Sequence, residues 1–426
     1  MRATVDLLRN EPAARRFFLA HAQSQLGTGA GYVVLLLIAA DRFASPWAIT
    51  LILLADFLPA MALGPIFGAA ADRWSRRWCA VAADVLRAAA FVGIALVDGF
   101  GATLALALVA GAGSGLFTPA VLAGLPSLVS RERLPAGTSL YGALSDVGHT
   151  LGPAVAAGTL LVASPEAVCI ANGLTFALSA LLIVGLRFGE RRVEARAQSG
   201  LGASLLADAR RGLVATARMP GVRALVLAGS AVGLFAGMLN VGELFLAKSE
   251  LGVGSSAFSA LVAVYGAGVI VGSLASSKGG SLPELKRRFM LGLLLVAAGL
   301  AGSALAPVYA SALVTFAVCG VGNGLILVNE RLLLQAVVPD GLMGRVFGVR
   351  DTLGAWAFAL AFILAGGVLV VMDTRAVFAL AGAGAFAVLA LAILTLRRTW
   401  TEDTGPAAPP AVRAARAPAV APAAES

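Results

Sequence analysis

Chemistry in this chain has to come from ionisable residues set inside long apolar runs: Asp56, Asp84, Arg87, Asp146, Glu243, Glu330, Arg331, Arg350 and Asp351. Near the centre of a bilayer such a charge costs about 2.5–3.5 kcal/mol on insertion scales, so it faces a cavity or a partner. Asp146 and His149 stand three residues apart and share a helical face. Burial and a neighbouring imidazolium push a carboxyl's titration in opposite directions, so this pair can exchange a proton near physiological pH. A buried, hydrogen-bonded structural pair is the competing reading. Asp56, well inside its run, joins Asp146 and His149 as a candidate proton carrier.

Mutual neutralisation is the expectation for Asp84 and Arg87, also three apart. Glu330-Arg331 and Arg350-Asp351 are adjacent pairs near the ends of their runs, where interfacial exposure competes with ligand binding. Glu243 lies near an outer end and can be wet. Gln23, Gln25, Asn240, Asn323 and Asn329 add neutral polar groups, whose commoner use is hydrogen bonding between helices.

Other chemistries find no support. His21 and His149 are the two histidines, no His-Glu-x-x-His is present, and Cys79, Cys169 and Cys319 are scattered, so neither a metal site nor a disulfide framework is expected. A Gly-x-x-x-x-Gly-Lys-Ser/Thr loop is missing too, which argues against nucleotide hydrolysis by that route. No cofactor and no enzymatic activity are expected.

The elements that position these residues are membrane helices. Of 426 residues, 59% are hydrophobic and 13% charged, with a mean hydropathy of +0.89. Soluble domains carry about a quarter charged residues, and a helix needs ~20 apolar residues to cross a bilayer. No sustained apolar-polar alternation supports a β-barrel. The first apolar run is too long for a cleavable signal. Apolar runs against polar breaks predict spans near 17–39, 47–70, 78–97, 102–128, 138–162, 167–187, 223–247, 255–277, 288–308, 309–335, 345–371 and 374–396.

The net charge of +9 comes from arginines in short turns, which fits lipid headgroups better than nucleic acid. Arg2, Arg9, Arg15, Arg16, Arg131, Arg133 and the basic residues of the central loop fall on one side; Arg42, Lys248 and Arg375 fall on the other. By the positive-inside rule this is a multi-pass protein of the cytoplasmic membrane with both termini cytoplasmic. The expected organisation is a six-helix half at 1–187, a linker at 188–222, a second half at 223–396 and a disordered tail at 397–426. In the linker, Ser204 can cap a surface helix with Leu205, Leu206, Ala209 and Leu213 on one face.

The halves resemble one another. "GAGSGLF" at 111–117 and "GVGNGLI" at 320–326 align at an offset of 209, and Arg76-Arg77 matches Lys286-Arg287 at 210. Parallel repeats of this kind place a binding site between them near the midplane.

"GAAADRWSRR", Gly68 to Arg77, is similar to the signature between the second and third helices of the major facilitator superfamily. Gly68, Asp72, Arg73, Arg76 and Arg77 match it, while Ser75 replaces a Gly and Ala70 a Leu. "GHTLGPAVAAG", with Gly148, Gly152, Pro153 and Gly158, resembles the fifth-helix motif of antiporters in that superfamily. "RERL" at 131–134 and "GRVFG" at 344–348 resemble a bacterial branch that includes the enterobactin exporter and macrolide efflux proteins.

Gly68 is expected to let a helix end approach a neighbour closely. Asp72 can bond the N-terminus of a helix, which the resemblance places at Gly344-Arg345; a topology anchor is the plainer reading. The resemblance also makes the first, seventh and tenth spans line a central cavity, with Glu243 and Glu330 among the polar groups there. Many proton-driven drug exporters of the superfamily carry an arginine in the fourth span, and Ala102 to Leu128 has none. Together these features imply a secondary transporter exporting an amphipathic small molecule in exchange for protons. A facilitator or importer, and a transport-dead sensor, are the alternatives.

Overall fold

The computed structural model describes residues 2–43, 45–188, 201–276, 279–397 and 399; within its helices the side chains at 2–4, 65, 72, 201–209 and 340 lie outside the description. Among the described residues the regular structure is helical. A short α1 (Arg2–Asn10) precedes α2 (Pro12–Phe43), α3 (Pro46–Ala62) and α4 (Gly64–Arg73). Then come α5 (Arg76–Leu96), α6 (Phe100–Gly124), α7 (Leu134–Thr159) and α8 (Pro165–Val184). After α9 (Leu201–Arg218) follow α10 (Pro220–Phe245), α11 (Ser255–Ser276), α12 (Leu282–Ala304), α13 (Tyr309–Val337), α14 (Asp340–Val371) and α15 (Thr374–Leu396).

Among the described residues, ten helices are long and apolar enough to cross a membrane. Two further spans complete six per half. One is α7, made less apolar by Ser145, Asp146, His149 and Thr150. The other is α3 with α4, broken at Leu63 because Pro65 has no N–H to continue the helical ladder. The turn expected at Ala306-Pro307 falls between α12 and α13. At 32 residues α2 is about 48 Å long, well beyond a hydrocarbon core of ~30 Å, so it tilts or projects.

The packing of one half recurs in the other. Contacts of α5 with α6 and α8, of α2 with α7 and α8, and of α3 with α6 are matched by α12 with α13 and α15, α10 with α14 and α15, and α11 with α13. The repeated glycine motifs explain part of this. Side chains on Gly111 and Gly115 would strike α3, the first at the Asp56 carbonyl, and Gly113 faces Ala83 and Arg87 of α5. Their counterparts Gly320 and Gly324 abut Tyr265 and Val269 of α11, and Gly322 abuts Gly292 and Val296 of α12. In each half, bare backbone on two sides of one helix allows both neighbours to close in. The halves themselves meet where α7 packs on α11 and α3 on α14.

The linker forms α9, but contact with α14 runs through Gly212 against the Arg345 carbonyl, and Leu213 is exposed. Leu205, Leu206 and Ala209 have side chains outside the description, as do all atoms of the tail from Trp400.

Candidate functional site

At the end of the bundle that holds few arginines, the halves are tied together. Asp41, late in α2, pairs with Lys248 just after α10. Deeper in, the Tyr32 hydroxyl donates to Asn240 Oδ1 at 2.9 Å and lies 3.5 Å from Glu243 Oε1. Glu243 is 1% exposed, so the wet outer carboxyl expected from sequence is a buried one. Its neighbours along α10, Val241, Gly242 and Leu244, are buried as well. Thr50 Oγ1 donates to the Phe362 carbonyl at 3.3 Å, Ser256 Oγ to the Ala157 carbonyl at 2.6 Å, and Phe57 packs against Phe358 and Phe362.

The other cations at this end serve helix termini. Arg42 donates to the carbonyls of Ile94 at 2.9 Å and Ala95 at 3.2 Å, and Arg375 to that of Ala304 at 3.0 Å, closing the C-termini of α5 and α12.

Toward the arginine-rich end, Glu330 of α13 meets Arg350 of α14 at 2.9 Å, and Arg350 holds Asp351 at 2.9 Å. Glu330 thus joins the Arg350-Asp351 pair, while Arg331, its neighbour in sequence, is exposed. Glu330 is nearly fully buried rather than interfacial.

Asp146 and His149 are both exposed, and no ion pair joins them; His149 Nδ1 instead lies 2.8 Å from the Ser145 carbonyl of its own helix. The buried-pair reading is therefore corrected: a backbone carbonyl one turn back already engages the imidazole. Asp56 sits half-buried on α3, apart from them. Gln23 donates to the Ala20 and Thr175 carbonyls, both at 2.9 Å, and Asn329 to Ser276 Oγ and the Leu325 carbonyl, both at 2.7 Å. The amide N–H groups of both are used in helix packing. Asn323 donates to the Tyr265 hydroxyl at 2.9 Å, and Gln25 lies half-buried where Gly148 packs on α2.

In the fifth-helix motif, Gly148 and Gly152 lie against Gln25 and Gly29 of α2, whereas Gly158 has nothing within 4 Å. Among the described residues, a Cβ on Gly68 or on Gly344 would also meet nothing within 4 Å, so the close approach expected of Gly68 is not made in this arrangement. Arg76 donates to the Ala123 carbonyl at 2.8 Å, Arg77 stacks on Trp78, and Arg73 is exposed. Arg345 lines a cavity with Arg210, Arg211 and Arg218, and the Asp72 side chain lies outside the description.

Two features escaped the sequence. His21 is buried, stacked on Tyr141 at 4.3 Å and 3.2 Å from Ser145 Oγ. Arg87 does pair with Asp84, but its guanidinium is also sandwiched between Phe117 and Phe176, 4.3 Å from each ring. No local signal marks either. The Tyr32–Asn240 contact did leave a trace: the repeat offset of 209 carries position 32 to 241, and residues beside a pseudo-two-fold axis face their own equivalents.

The family model for the Major Facilitator Superfamily matches residues 17–362. The chain belongs to that superfamily. This superfamily transporter is 27% identical over 379 residues to the uncharacterized MFS-type transporter YfiS of Bacillus subtilis, covering 85% of this chain and 88% of the relative. It is 34% identical over 203 residues to the uncharacterized MFS-type transporter Rv0037c of Mycobacterium tuberculosis, covering 45% and 46%. Among solved structures, the nucleoside transporter NupG superposes with a TM-score of 0.72 at 14% identity, covering 91% of this chain and 100% of that one. A POT family transporter in complex with 5-aminolevulinic acid gives 0.71 at 12%, covering 92% and 97%. At such identities the superfamily member shares their fold.

Proposed function

We propose that the chain exports an amphipathic small molecule from the cytoplasm by alternating access, in exchange for protons. The observation that carries this reading is the buried Glu243 at the junction of the halves, 3.5 Å from the Tyr32 hydroxyl of the other half. A carboxylate taken out of water without a cation costs several kcal/mol, so a proton accompanies it while the halves are shut there. Parting the halves wets the site and lets it take up a proton from outside; with the halves shut there again, that proton leaves toward the cytoplasm, opposite to the cargo. Such linkage between a proton and one of two states is what an exchanger requires. Asp56, half-buried on α3, is a second carrier; Asp146 and His149, exposed and unjoined, are set aside.

The positive-inside bias makes the arginine-rich end cytoplasmic, and the resemblance of "RERL" and "GRVFG" to an exporting branch supports the outward direction. Asp72 is proposed to hold the cytoplasmic end in the opposite state. The test uses proteoliposomes with an imposed pH gradient and a panel of labelled amphiphiles. Glu243→Gln is expected to abolish gradient-driven accumulation while sparing downhill exchange. Undiminished driven accumulation in Glu243→Gln and in its double variant with Asp56→Asn removes both from coupling.

A further inference from the structure

Between α10, α13 and α14 lies an open-sided cavity of about 230 Å³ whose described lining comes wholly from the second half. Its charged members are Glu330, Arg350 and Asp351. Arg350 divides its guanidinium between the two carboxylates, each at 2.9 Å, which leaves the cluster one formal negative charge in excess. Glu330 is 2% exposed, and while its Oε2 accepts from Arg350, its Oε1 is buried with no hydrogen-bond partner. A charged oxygen left so is costly, and a donor arriving in the cavity would relieve it. The neighbouring amide points the same way. Asn323 gives one of its two amide N–H groups to the Tyr265 hydroxyl, and its carbonyl oxygen is a neutral acceptor in the same lining. Arg350 keeps N–H groups beyond the two it spends, so it is the cluster's excess negative charge that selects a cation.

The walls are built to leave room. A Cβ on Gly229 would come within 2.5 Å of Glu330 Oε1, so any other residue there would push the carboxylate from its place. Gly233 and Gly354 have nothing within 4 Å. The remaining lining is largely apolar, from residues such as Val232, Ile326 and Leu327. The volume is below the roughly 300–1,000 Å³ of pockets that enclose a whole drug-sized ligand, so it suits one group of a larger molecule.

We infer that this cavity receives the ammonium or amidinium group of an organic cation, with Glu330 Oε1 as the principal acceptor. The inference rests on the transport reading above and narrows its substrate to amphipathic amines. Arg350 positions Glu330, and Asp351 keeps the cluster's charge negative.

The test measures equilibrium binding of radiolabelled phenethylammonium to the purified full chain, beside its neutral N-acetyl analogue, phenylpropionate and sodium ion alone. The ammonium is expected to bind about tenfold or more tighter than either analogue and to be undisturbed by sodium. Glu330→Gln is expected to lose that preference. Gly354→Val, which fills open space beside the cluster, is expected to weaken binding with Glu330 intact, and the melting temperature of each variant checks its folding. Equal binding of the neutral analogue, displacement by sodium, or unchanged affinity in both variants overturns the proposal. Ammonium binding that depends on Glu330 without proton-driven flux leaves the cavity's role standing and sinks the export reading. Proton-driven flux of neutral amphiphiles without ammonium binding does the reverse.

Discussion

Buried charges in this protein are handled in different ways, and the difference has measurable consequences. Asp84 and Arg87 neutralise each other within one turn of α5, and two aromatic rings cover the guanidinium faces. Removing one member of a buried pair strands the other charge, at about 3–5 kcal/mol, whereas replacing both with apolar residues of similar size is often close to neutral. Asp84→Asn and Arg87→Met are therefore each expected to lower the melting temperature in detergent strongly. The double variant Asp84→Leu/Arg87→Met is expected to recover much of the loss. A double variant as damaged as the sum of the two singles contradicts the pairing account. By contrast, Glu243 has a phenol rather than a cation beside it, and Glu330 shares its cation with Asp351.

Helix packing turns on where glycine is bare for a reason. Within a single motif of α7, a Cβ on Gly152 would lie 2.5 Å from Gly29 Cα, while one on Gly158 meets nothing. Alanine at a helix-interior glycine otherwise stabilises by roughly 0.5–1 kcal/mol. Gly158→Ala should leave the melting temperature unchanged or raised. Gly152→Ala should lower it, because backbone cannot give way as a flexible side-chain end can. Like behaviour of the two variants would remove packing as the explanation of the motif. The same logic applies to the paired glycine triplets of α6 and α13, each clasped on two sides.

For the whole molecule, the contacts at the arginine-poor end define one state of a two-half machine. Asp41 and Lys248 lie across the junction, and the native Cys79, Cys169 and Cys319 are all buried. Cysteines at 41 and 248 are expected to be bridged by a short bis-methanethiosulfonate reagent, which arrests transport, and reduction should restore it. Retained transport after complete cross-linking, judged by the loss of both free thiols, would show that this end need not open. An equilibrium responds only to what distinguishes its states, so a latch present in both would do nothing.

Much of this was legible before any coordinates. Apolar runs, basic turns and the glycine repeat lie close together along the chain, and hydropathy and helical periodicity act over a few residues. They set the spans, the two halves and the superfamily. The break at Leu63 was within reach as well, since Pro65 announces it. What the sequence could not determine was which polar residue meets which. Glu330 and Arg350 are 20 residues apart and Tyr32 and Asn240 are 208 apart, and adjacency in sequence paired Glu330 with Arg331 instead. Nor could spacing say that Asp146 and His149 would stay apart while Gln23 and Asn329 were absorbed into packing. A side chain's partner depends on the rotation of its helix and on what the neighbouring helix presents at that depth. Only the packed bundle fixes both.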